Sequence, residues 1–268
     1  MISILIRNKN EARYLDKTLK SISNQQFTVP YEIVFIDDHS TDNSVEIALK
    51  YGCKVVELDR KFSYGYALNF GIQHCSYEIV LLLSSHNILL SNDFSAKLVS
   101  YFEDEKVAGV RCTPVANGKQ IEQSLYDIVK LNAENYDHSK DWPNLLVANC
   151  SAVRKSVAEK IKFNETIRSN EEKLWCLDAF KSGYTIYSNV PCYFIYNKIN
   201  KLDTVIRDTI SKYQVDGIAP TSTASFIFNV FKSIPWAIKI AFETWYTNIR
   251  VKYNFFLIPF KHKKGNYK

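Results

Sequence analysis

At 268 residues, with 46% hydrophobic, 14% aromatic and 23% charged side chains, the chain has the size and apolar content of one large α/β domain with or without an appendage. That composition excludes a disordered or fibrous protein. The net charge of +6 is unevenly spread: residues 221–268 hold eight Lys and Arg against Glu243 alone, giving +7 there and leaving −1 on residues 1–220. A body so balanced offers no basic surface to nucleic acid, so no nucleic-acid partner is expected.

The chain starts on Ile2–Ile6, an apolar run without the basic leader of a signal peptide. No run of 18 uncharged apolar residues occurs, so no membrane span is expected and the cytoplasm is the expected location. Residues 2–6, 32–36, 53–58 and 78–83 read as buried strands. Between them, Leu15, Leu19 and Ile22, then Val45, Ala48 and Leu49, then Ala67, Leu68, Gly71 and Ile72 repeat with helical period. The first hundred residues therefore alternate as βαβαβαβ, which predicts a mostly parallel sheet covered on both faces.

The second half predicts a strand at 107–112, a polar helix around 121–136, a strand at 146–153, a helix at 172–182 and late strands at 184–188 and 192–196. Gly217 and Pro220 punctuate 216–223, and the composition shifts immediately afterwards. The expected division is a catalytic domain over 1–220, with halves at 1–110 and 111–220, followed by a tail over 221–268. Six cysteines form no CxxC pair, and most sit in or beside apolar runs, which predicts buried reduced thiols and no zinc site.

In a doubly wound sheet, ligands bind beyond the carboxyl ends of the strands. The four early strand ends run Arg7-Asn8-Lys9-Asn10-Glu11, Asp37-Asp38-His39-Ser40-Thr41-Asp42, Asp59-Arg60-Lys61 and Ser84-Ser85-His86-Asn87. Asp42 and Asn43 are placed to cap the next helix. Adjacent carboxylates at a buried strand end, as at Asp37 and Asp38, repel one another unless something there uses them.

These stretches, with Gly65-Tyr66-Ala67-Leu68-Asn69-Phe70-Gly71, Asn149-Cys150-Ser151-Ala152-Val153-Arg154 and Glu171-Glu172-Lys173-Leu174-Trp175 before Gly183-Tyr184, resemble the family 2 glycosyltransferases of GT-A fold over roughly residues 1–196. The resemblance implies inverting transfer of a sugar from a nucleoside diphosphate donor, a UDP- or dTDP-sugar, to a hydroxyl of a cell-surface glycan or lipid-linked acceptor. It implies Arg7, Asn8, Glu11, Asp37, Asp38, Gly65 and Asn69 at the nucleotide, and Asn149 and Trp175 on the acceptor side. It implies Glu172 as general base, with Glu171 as the alternative. Where the family has Asp-x-Asp, this chain has Ser84-Ser85-His86, a replacement similar to one branch of bacterial polysaccharide transferases, together with Phe62-Ser63-Tyr64-Gly65-Tyr66-Ala67-Leu68-Asn69 upstream. A neutral His86 is a possible ligand for Mn²⁺ or Mg²⁺, and an imidazolium could instead bind the diphosphate without metal. Tyr196 and Asn197 stand where the family often supplies a further metal ligand, which leaves metal dependence open. The alternative reading is a non-catalytic scaffold that has lost this chemistry.

In the tail, Ile227, Val230, Phe231 and Ile234, then Ile238, Phe242, Trp245 and Ile249, make an apolar face opposite Lys232, Lys239, Glu243 and Arg250. Such a basic amphipathic helical extension suits the inner face of the cell membrane as a peripheral contact. The other reading packs this face on the catalytic domain or on another subunit of a homo-oligomer.

Overall fold

The computed structural model describes residues 1–115, 127–167 and 169–198. The expected boundary at 216–223 and the tail over 221–268 lie outside the described residues. The four early apolar runs form β1 (Ile2–Asn8), β2 (Tyr31–Asp37), β3 (Lys54–Glu57) and β4 (Ile79–Ser84). Helices α1 (Ala12–Ser23), α2 (Ser44–Lys50) and α3 (Tyr64–Gln73) connect them. The strands lie side by side in the order β3-β2-β1-β4, all parallel.

Side chains alternate across a strand, so each apolar run feeds two cores. Ile4, Ile6, Phe35, Leu81 and Leu83 pack with Leu15, Leu19 and Ile22 of α1. Leu5, Val34, Ile36, Val80 and Leu82 pack on the other face with Leu68 and Ile72 of α3. This two-sided burial is why the runs read as continuous hydrophobics.

Beyond β4 the chain forms β5 (Asn87–Leu89), α4 (Phe94–Ser100), β6 (Val107–Pro114) and β7 (Val129–Leu131). It continues through α5 (His138–Asp141), a 3-10 turn at Trp142–Asn144, β8 (Cys150–Arg154), α6 (Lys155–Lys160), α7 (Glu171–Lys181) and β9 (Thr185–Tyr196). Strand β8 threads between β4 and β6, antiparallel to both. Next to β6 runs β9, parallel to it, and β9 pairs antiparallel with β7 near its start and with β5 near its end. The sheet is thus continuous across residue 110, which falls inside β6.

Three local expectations are corrected. In the stretch read as a polar helix around 121–136, the described part holds β7, whose Leu131 is buried and pairs with Ile186. A turn follows in which Asn132 Oδ1 accepts from the amides of Glu134 and Asn135, and Asn135 Oδ1 accepts from the amide of Asn132. These asparagines bond the backbone locally and so compete with helix. The strand expected at 146–153 begins only at Cys150, because the Cys150 amide first closes a turn onto the Val147 carbonyl. The two late strands are one, bent at Asn189, which adopts φ +57°, and shifted in register against β6. All six cysteines are buried free thiols, and burial pushes Cys53, Cys75 and Cys176 up to about 12. Among the described residues no helix is long and apolar enough to cross a membrane.

Candidate active site

The loops after β1 and β2 are built as one unit around Asp37. Its Oδ1 accepts from Asn8 Nδ2 at 3.2 Å and from the Ser40 hydroxyl at 2.6 Å, and its Oδ2 accepts from the Ser40 amide at 2.7 Å. Asn10, at φ +54°, offers its Oδ1 to the Thr41 amide at 2.7 Å, while its own amide donates to Ser40 Oγ. Asp42 accepts from the Ala12 amide and from the Ser44 amide, so one carboxylate caps the starts of α1 and α2 together. Asn43, the nominal cap, makes no side-chain bond there. Asp38 is buried too, with its Oδ2 paired to the exposed Lys9 at 2.8 Å. The two adjacent acids thus divide their tasks: Asp37 shapes the loops, and Asp38 ties Lys9 to them.

A second pair of acids opens α7. Glu171 and Glu172 lie in the first turn, where the helix dipole favours negative charge, yet both are buried. Glu172 Oε1 accepts from the Ala148 amide at 3.3 Å, whereas Oε2 has no hydrogen-bond partner. Arg7 reaches across from β1: its Nη1 stands 3.8 Å from Glu171 Oε1, its Nη2 donates to the Ala148 carbonyl, and its guanidinium lies 5.6 Å from the centroid of Tyr64. Burial first and the neighbouring Glu172 carboxylate second push Glu171 up to about 8, with Arg7 pulling the other way. At neutral pH Glu171 is therefore protonated. Asn149, next to Ala148, accepts through its carbonyl from the Ser84 amide and from Asn87 Nδ2, leaving its buried Oδ1 without a partner.

Ser85 and His86 form the turn between β4 and β5, beside the end of β9. The imidazole is mostly buried, edge-on to Tyr196 at 4.8 Å and to Tyr14 at 6.4 Å between ring centres. Its Nδ1 has no hydrogen-bond partner and lies 3.8 Å from Glu11 Oε2, while the other Glu11 oxygen pairs with Lys198. Burial first, then Lys198 and Arg7, hold His86 down at about 3, so the ring is neutral. Ser84 stays half-buried at the end of β4, and Ser85 is buried, its carbonyl accepting from Thr18 Oγ1. Among the described residues no three His, Cys, Asp or Glu side chains come together as a metal site. Around His86 the donor set is Nδ1 and Glu11, and an ammonium already sits on Glu11. That set does not fit a divalent ion, which asks for more oxygen or nitrogen donors and no resident cation.

Three residues expected to touch ligands have structural tasks. Gly65 lets α3 approach the segment after α6 so closely that a Cβ would stand 2.1 Å from the Asn164 carbonyl oxygen. Asn69 donates to the Phe163 carbonyl and accepts from the Phe163 amide, both at 2.9 Å. Trp175 is 1% exposed, stacked on Phe163 and donating its indole N–H to the Ile161 carbonyl at 2.7 Å, which places it in the core behind the acceptor half. Sequence reasoning missed Lys198 and the Ala148 amide. Lys198 stands two residues beyond β9, where the strand-end rule would have found it.

The family model described as Glycosyl transferase family 2 matches residues 3–162. The Methanococcus voltae dolichyl N-acetyl-alpha-D-glucosaminyl phosphate 3-beta-D-2,3-diacetamido-2,3-dideoxy-beta-D-glucuronosyltransferase is 23% identical over 237 residues, covering 81% of this chain and 73% of that one. The Pyrobaculum calidifontis mannosyltransferase PcManGT, solved with GDP-Man and Mn²⁺, superposes with a TM-score of 0.63 at 17% identity, over 90% of this chain and 72% of that one. Staphylococcus aureus TarS 1–349, solved with UDP-GlcNAc, superposes with a TM-score of 0.60 at 20% identity, over 75% and 59%. These superpositions establish the GT-A fold. The chain spans between 9% and 73% of the length of the curated relatives it matches first. A family match over more than half of the residues, on a sheet of this topology with its polar side chains gathered at the strand ends, makes the chain a member of glycosyltransferase family 2.

Proposed function

We propose that the chain moves a sugar from a UDP- or dTDP-sugar to a hydroxyl of a cell-surface glycan or lipid-linked acceptor, with inversion at the anomeric carbon. The observation that carries this reading is the carboxylate of Glu172, buried at the start of α7 with Oε1 fixed by the Ala148 amide and Oε2 without a partner. A buried, oriented and unpartnered carboxylate oxygen is a general base waiting for a proton. In the reaction the acceptor oxygen forms a bond to the anomeric carbon and gives its proton to Glu172. The bond from that carbon to the diphosphate breaks, and the diphosphate departs with the electron pair.

The other residues bind and orient. The loops organised by Asp37 cradle the nucleoside, and Asp38, buried beside the exposed Lys9, receives a base or ribose hydrogen bond. Arg7 holds Glu171 and the Ala148 carbonyl, and with them the geometry around Glu172. The neutral His86, whose Nδ1 is unpartnered, orients the diphosphate side of the pocket. The basic, aromatic segment 221–268 would bring the enzyme to the inner face of the cell membrane, where a lipid-linked acceptor is presented. The test is Glu172→Gln: turnover falls roughly 10²–10⁴-fold with donor affinity nearly unchanged. Near-normal turnover in that variant would remove Glu172 from the mechanism.

A further inference from the structure

Two cations and a neutral imidazole come from three separate strand ends to the place where the donor's diphosphate would sit. Arg7 is the penultimate residue of β1, His86 follows β4, and Lys198 follows β9. Lys198 is only a third exposed and is paired with Glu11, which itself is mostly buried. Arg7 is buried further still, with its Nη1 3.8 Å from Glu171 Oε1. Lys198 and Arg7 both act on the His86 ring between them and favour its neutral form. The same positive field repels a dication, and the Glu11 oxygen nearest to Lys198 is already occupied. Two cations held at neighbouring strand ends suit an anion, which is what a nucleoside diphosphate sugar presents.

We propose that Lys198 is the resident counter-ion of the donor diphosphate, acting with Arg7 in place of a divalent metal ion, and that Glu11 holds its ammonium in position when the donor is absent. This rests on the nucleoside diphosphate reading above and adds to it the residue that neutralises the phosphates. On donor binding the ammonium exchanges one Glu11 oxygen for phosphate oxygens, or bridges the two. As the diphosphate leaves, the charge that builds on its oxygens is met by a fixed cation at the end of β9. Glu11 then serves as a positioning residue, since it touches the lysine rather than the substrate.

Calorimetric titration of the full chain with UDP and dTDP, and with uridine and thymidine as controls, in EDTA and in Mn²⁺, tests this. Wild type should bind its preferred diphosphate within about twofold in the two buffers. Lys198→Met should weaken that diphosphate roughly 10- to 100-fold, the usual effect of losing a hydrogen bond to a charged group, while leaving the free nucleoside unaffected. Lys198→Arg should restore most of the loss, and thermal melting without ligand reports whether each variant folds. Tenfold or greater tightening of wild type by Mn²⁺ overturns the inference whatever the variants do, as does unchanged diphosphate affinity in a folded Lys198→Met. If wild type binds no nucleoside diphosphate in either buffer, including GDP, the donor reading itself fails and this inference with it.

Discussion

Glu171 makes the stability of the protein depend on pH in a direction opposite to that of most carboxylates. Its ordinary value of 4.5 rises to about 8 in the fold, so between these two values the native state holds a proton that the unfolded chain has released. Stability from this group is complete below about pH 4.5 and is lost as pH rises through 8, at about 1.4 kcal/mol for each pH unit. By pH 8 the loss amounts to roughly 4 kcal/mol, with little discount for solvent because Glu171 is 3% exposed. Glu171→Gln keeps the shape of the protonated side chain and cannot ionise. Urea unfolding of wild type and variant at pH 5, 6, 7 and 8 should therefore give curves that nearly coincide at pH 5 and separate steadily, with the variant the more stable. Because the Glu172 carboxylate is the second cause of the shift, Glu172→Gln should let Glu171 ionise at lower pH in the fold, so the decline still sets in near pH 4.5 but ends at lower pH and is smaller in total. A separation that stays flat from pH 5 to 8 would refute a protonated Glu171.

Two further outcomes follow from the site's construction. Gly65→Ala should destabilise the chain by about 1–3 kcal/mol or more in a thermal melt, because the atom in the way is the Asn164 carbonyl oxygen, which belongs to the backbone and cannot swing aside; an unchanged melting temperature would contradict the close approach. Asp37→Asn replaces one acceptor oxygen with a donor opposite Asn8 or Ser40, and should cost about 1–3 kcal/mol in stability and weaken nucleoside diphosphate binding through the loosened loops. Full nucleotide affinity in a destabilised Asp37→Asn would limit Asp37 to folding.

The parallel half of the sheet was legible because both faces of β1, β2 and β4 are buried, which writes them into the sequence as uninterrupted apolar runs. The later half was less so. Strands β5 and β7 are three residues each, too short to show a period, and β9 hides its continuity behind Asn189 and Pro191. At the site, strand-end position pointed to Arg7, Asp37, Asp38 and His86, and the family resemblance pointed to Glu171 and Glu172. What position could not give was the partner. Asp37 bonds inward because Ser40 and Asn8 meet it, and Trp175, one turn beyond the two acids, lies on the face of α7 that is buried with Cys176, Ala179 and Phe180. The family resemblance puts Gly65 and Asn69 at the nucleotide; what no motif could give is their contact with the segment at 163–165, about 95 residues away in sequence.

The place of β8 in the middle of the sheet sets the timetable of synthesis. When the ribosome has delivered β4, the parallel half is complete except for one flank, and that flank is Ile79-Val80-Leu81-Leu82-Leu83, five apolar residues with an open ladder of hydrogen-bonding groups. Its partner, Cys150–Arg154, is still to be made. At 5–20 residues per second the wait is roughly 4–14 s, long compared with the microseconds in which a strand edge can find the wrong neighbour. The nascent chain thus carries a sticky edge while about 70 of its 268 residues are made. Holding factors that bind short apolar segments would act in that interval, and a chain cut short anywhere between residues 84 and 150 would keep the edge for good.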